Sequence, residues 1–75
     1  MQFIEMTGAT LREVLHPDEI EEKDLHAEGV ENDSILRINE QGDIEIRRAS
    51  GWDVIGGLLG EFQDRIKDAS GLDWA

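Results

Sequence analysis

The chain has no cysteine and no tyrosine, a single proline, and only two tryptophans and two phenylalanines among its 75 residues. Without cysteine there is no disulfide framework, no thiolate metal site and no thiol nucleophile. That composition fits a cytoplasmic protein without requiring one. No apolar run approaches the roughly 20 residues a membrane-spanning helix needs. The opening "MQFIEMTGA" has no basic segment followed by an apolar one, so no secretory leader is expected. Basic residues are also scarce, 7 against 18 acids, for a net charge of −11. Such a field repels the phosphates of nucleic acid and anionic lipid, so neither is an expected partner.

The length fits one domain, residues 1–75. A chain this short buries only about 60% of the surface its unfolded form exposes. With no disulfide to support it, close packing or self-association must supply stability. The charge is uneven. Residues 13–33 hold nine acids opposed by Lys23 alone, so most of the net charge sits in this acidic segment. Asp18, Glu19, Glu21, Glu22, Asp24 and Glu28 form its centre. Such a run either keeps a solvated face soluble or attracts a protein with a basic surface.

Patterning divides the chain further. "QFIEM" (2–6) has the alternation of a short strand, with Ile4 and Met6 on one side and Phe3 on the other. In "TLREVLH", Thr10 and Glu13 have capping-box spacing, and Leu11, Val14 and Leu15 share a helical face. The residue before Pro17 is biased away from helix, which limits that helix to about two turns. Pro17 suits the first turn of a second, acidic helical segment running to Gly29. Its apolar residues Ile20, Leu25 and Ala27 do not align on one face, so a loosely held helix or an ordered loop is expected.

"SILRINEQGDIEIRR" (34–48) reads as a β-hairpin. A three-residue loop with Gly42 at positive φ pairs Ile38 with Ile44, Arg37 with Glu45 and Leu36 with Ile46. Apolar residues then meet on one face and an ion pair forms on the other. Two strands cannot stand alone in water, so a further strand or a helix must cover them.

For residues 51–69 the helical wheel is persuasive. Trp52, Ile55, Leu58, Leu59, Phe62, Ile66 and Ala69 fall within an arc of roughly 120°. Ser50 and Asp53 have the spacing of a cap. Burying the large members at about 1.5–3 kcal/mol each outweighs glycines costing about 1 kcal/mol apiece. The expected fold is therefore a small α+β domain: a β-hairpin, extended to a three-stranded antiparallel sheet if residues 2–6 join it, packed against a long C-terminal amphipathic helix, with a short acidic helical segment beside them.

On that wheel Gly56 and Gly60 lie off the core stripe. They either let another backbone approach closely, mark a kink, or have no role. Trp74 either tucks onto its own domain or anchors a partner. No chemistry-bearing constellation is apparent. Thr10, Ser50 and Ser70 are explained by helix ends, no Ser–His–Asp arrangement is suggested, and no cofactor is implied. His16 and His26 are ten residues apart, which matches no metal-ligand motif, although with Asp18, Glu19 and Glu22 they offer imidazole and carboxylate donors. Three readings are ordered accordingly. The first is an acidic protein-interaction module docking a basic partner through Asp18, Glu19, Glu21, Glu22, Asp24 and Glu28. The second is a homo-oligomeric structural or assembly protein using Gly56, Gly60 and Trp74. The third is a metal-binding protein.

Overall fold

The computed structural model describes residues 2–75. Strand β1 (Phe3–Thr7) leads into helix α1 (Gly8–Val14). After an irregular turn comes helix α2 (Glu22–Ala27), followed by strands β2 (Ile35–Asn39), β3 (Asp43–Arg48) and β4 (Gly51–Gly57). Helix α3 (Phe62–Ser70) completes the order. The strands form one antiparallel sheet in the order β1-β2-β3-β4. Ile4, Met6, Leu36, Ile38, Ile44 and Ile46 line its inner face, and Leu11, Val14, Leu25, Val30, Leu58 and Ile66 cover them from the helices and loops.

The β2–β3 hairpin follows from its turn chemistry. Asn39 carries the loop: its backbone carbonyl accepts from Gly42 N–H (3.0 Å), and its Oδ1 accepts from Gln41 and Asp43 N–H (3.0 and 2.9 Å). Gly42 takes φ +88°, as a three-residue loop of this kind requires. The register is Leu36↔Ile46, Arg37↔Glu45 and Ile38↔Ile44, matching the count outward from that loop. Residues 2–6 do contribute a strand, and Ile4 pairs with Ile38.

The long C-terminal helix does not exist. Residues 51–57 form the fourth strand, and the terminal helix is nine residues long, starting only at Phe62. Two causes account for the difference. Gly51 sits at φ +128°, closed to other residues, and follows the two-residue connection Ala49–Ser50 that returns the chain alongside β3. Val54 pairs with Glu45 on the outer face and is exposed, Ile55 packs on the core, and the register then skips Ile55, so that Gly56 is the residue opposite Ile44. That bulge breaks the period-2 pattern by which the strand would have been read. Gly56 and Gly57 weaken a helix by about 1 kcal/mol each, and both pair with β3 instead.

The early helices also differ from expectation. α1 begins at Gly8 and is capped by Thr7, whose Oγ1 accepts from Thr10 N–H at 3.3 Å, so Thr10 is not the cap. The acidic segment is helical only over Glu22–Ala27. Residues 17–19 form a turn instead, wrapped around the buried side chain of Glu19. Gly29 does adopt a left-handed conformation, at φ +76°.

Candidate functional site

Glu19 is the most heavily engaged carboxylate in the molecule. Arg65 of α3 grips it with two bonds, Nη1–Oε1 at 2.7 Å and Nη2–Oε2 at 2.6 Å. The backbone N–H groups of His16 (2.7 Å) and Leu59 (2.6 Å) donate to the same two oxygens. The Glu19 side chain is only 2% exposed. Burial pushes its carboxyl up, but the Arg65 guanidinium and the two amides outweigh that and hold it below its ordinary 4.5. Glu19 in turn raises Arg65. This pair lines an open cleft of about 390 Å³ together with His16, Asp18, Leu59, Gly60 and Glu61.

The other acids of the segment remain outside. Glu22 pairs with Arg12 (3.0 Å), Glu28 with Arg48 (3.1 Å) and Glu21 with Lys23 (3.5 Å), while Asp18 lies 3.6 Å from His16 Nδ1. Asp24 is exposed and, with Glu13, Glu31 and Asp33, has no ion-pair partner among the described residues. The structure therefore separates one internal carboxylate, Glu19, from an exposed acidic face centred on α2. His16 and His26 are both exposed, and among the described residues no three His, Cys, Asp or Glu side chains converge as a metal site would need.

Gly56 and Gly60 share no helix. Gly56 lies in β4, where a Cβ would sit 3.3 Å from Ile20 Cδ1, and Gly60 lies in the following loop at φ +67°. The glycine face expected of a C-terminal helix is thus absent, because its helix is. Trp74 tucks onto its own domain, half-buried and edge-on to Phe62 with ring centroids 6.2 Å apart.

Opposite the helices, the open sheet face carries a stack that charge counting did not reveal. The Arg37 guanidinium lies between the rings of Phe3 (3.8 Å) and Trp52 (4.1 Å) while pairing with the buried Glu45 at 3.1 Å. The rings shield a guanidinium whose Nε is buried without a hydrogen-bond partner. The Arg37–Glu45 pair is legible from the hairpin register. The aromatic sandwich is not, because Trp52 had first to be placed on a strand.

Comparison with protein-family models, with curated proteins and with solved structures finds no match, so function rests on these surfaces alone.

Proposed function

We propose that the chain is a protein-interaction module whose acidic face docks a partner with a basic surface. The residues in contact would be Asp18, Glu21, Glu22, Asp24 and Glu28; Glu19 is excluded by its burial. The observation that carries this reading is the exposure of Glu21, Glu22 and Asp24 in succession at the start of α2, flanked by the unpaired Glu13, Glu31 and Asp33. Three neighbouring arginines, Arg12, Arg48 and Arg65, are already held by Glu22, Glu28 and Glu19, and among the described residues Lys23 is the one further base opposing the remaining acids, through Glu21. Complementary charge of this kind speeds encounter and selects partners more than it adds affinity.

A short oligolysine peptide is the probe, with binding measured by calorimetry. Affinity is expected to fall steeply between about 50 mM and about 300 mM salt, as the screening length drops below about 10 Å. The triple variant Asp18→Lys, Glu21→Lys, Asp24→Lys is expected to weaken binding ~10-fold or more, about 1.4 kcal/mol. The matched control, Glu61→Lys, Asp64→Lys, Asp68→Lys, changes the net charge by the same amount on and just before α3. Equal weakening by the two triples would show that only net charge matters and would remove the localised site.

A further inference from the structure

The two edges of the sheet are not equivalent. An edge strand presents a row of backbone N–H and C=O groups ready to pair with another strand. On β1 that row is engaged at its N-terminal end. Phe3 and Ala75 exchange two backbone bonds, at 3.4 and 2.9 Å, and Leu72 lines an open cavity of about 350 Å³ with Glu5, Met6 and Thr7. On β4 it is open. Among the described residues, no backbone hydrogen bond joins Gly51–Gly57 to anything but β3.

The chemistry of the open edge is equally distinct. Residues 49–60 contain a single ionisable side chain, Asp53, and Arg48 holds it at 2.9 Å. Arg48 is shared with Glu28, and the exposed Arg47 beside it supplies a second positive charge, so in a chain of net charge −11 these four residues cancel and the edge is close to neutral. It is also apolar where it is exposed: Val54 is 58% exposed on β4 and Leu59, just beyond it, 67%.

We propose that β4 pairs antiparallel with β4 of a second copy of this chain, about a two-fold axis near Val54, joining two four-stranded sheets into one continuous sheet. Three observations select a second copy as the occupant. An antiparallel strand edge is self-complementary, so one patch serves both sides of a two-fold interface. The local cancellation of charge lets two strongly acidic molecules meet here, whereas a basic partner is drawn to the α2 face instead. The C-terminal residue bonded to Phe3 obstructs head-to-tail addition of β4 along β1, which favours closure at two copies over a fibre. The bulge opposite Ile44/Glu45 twists the strand and shortens the stretch that can pair. The interface is accordingly small, below about 1,200 Å² in total, and the dimer is reversible.

The test is the solution mass from micromolar to millimolar concentration. The wild-type chain is expected to rise from 8.5 kDa toward twice that value. Val54→Lys and Val54→Glu each place like charges across the two-fold axis and are expected to weaken association ~10-fold or more, since like charges directly opposite on paired strands repel. An equimolar mixture of the two variants should restore a dimer, because Lys then faces Glu. Val54 is exposed, so both variants retain the fold, which the thermal melt verifies. Amide exchange along Gly51–Gly57 should slow with concentration in the wild type and not in Val54→Lys. A wild-type mass of 8.5 kDa throughout the range, or unimpaired association of Val54→Lys, overturns the proposal.

Discussion

Gly8→Ala is expected to destabilise the chain by about 2–4 kcal/mol, the range of overpacking against an obstacle that cannot yield. An added Cβ would lie 1.9 Å from the Glu31 carbonyl oxygen, 2.9 Å from its carbon and 3.2 Å from Val30 Cγ1. The obstacle is backbone, and that backbone is clamped. Gly8 and Ala9 donate to the carbonyls of Ser34 (2.9 Å) and Asn32 (3.1 Å). Glu31 N–H donates to Ser34 Oγ, and Arg12 Nη2 to the Val30 carbonyl, at 2.8 and 2.7 Å. Admitting a methyl group means breaking several of these bonds or lifting buried Val30 from the core.

Helix propensity alone gives the opposite sign. Gly8 has no positive φ, and alanine inside a helix is favoured over glycine by about 1 kcal/mol. The direction of the shift therefore decides between local propensity and tertiary approach. At about 4–8 °C per kcal/mol for a domain of this size, the melting temperature should fall by roughly 10–20 °C or more. Gly29→Ala is the contrast: φ is +76°, but nothing lies within 4 Å of the added Cβ. Its cost is the left-handed backbone alone, about 1–2 kcal/mol. A Gly8→Ala melt equal to or above the wild type would mean that the Gly8–Glu31 approach is wrong.

What could be read from the sequence follows a physical divide. The β2–β3 hairpin was legible because its information is local: Asn39 and Gly42 define the loop, and the loop defines which residues face each other. The strand at 2–6 was legible from the alternation of Ile4 and Met6. β4 was hidden by two local accidents, a bulge that leaves Ile55 unpaired between Val54 and Gly56 and an apolar spacing that happens to fit a helical wheel. Wheel geometry measures only whether a helix would be amphipathic. It cannot weigh that against pairing with an open β3 edge, which depends on residues already folded.

The acidic segment was legible as charge and illegible as structure. Arg12, Arg48 and Arg65 each take one of its carboxylates, from 10, 20 and 46 residues away. No local pattern announces such partners. Glu19 looked like its neighbours Asp18 and Glu21 in sequence, yet it alone among the segment's acids lies buried against α3. Charge density in a sequence therefore overstates the field available to a partner, by the amount the fold neutralises internally.

Glu19 carries the second large effect. Glu19→Ala leaves Arg65 without its carboxylate and the His16 and Leu59 amides without their acceptor. Breaking a buried ion pair from one side costs about 3–5 kcal/mol, and Arg65, still 28% exposed, recovers part of that through water, so about 2–3 kcal/mol is expected. Glu19→Gln keeps the shape and one acceptor oxygen and should cost less. It also isolates the charge, which gives the pH test. The folded-state carboxyl is held below its ordinary 4.5, so the ionised form stabilises the fold. That contribution is complete above about pH 5 and is lost as pH falls through the depressed folded value. The gap in melting temperature between wild type and Glu19→Gln should thus be widest near pH 6 and narrow as the pH is lowered toward about 3. It should also survive high salt, because the carboxylate is shielded from solvent, unlike the pairs on the α2 face. A gap that is constant with pH would assign the effect of Glu19 to packing and not to its charge; one that vanishes in salt would place the carboxylate at the surface, with the acids of the docking face.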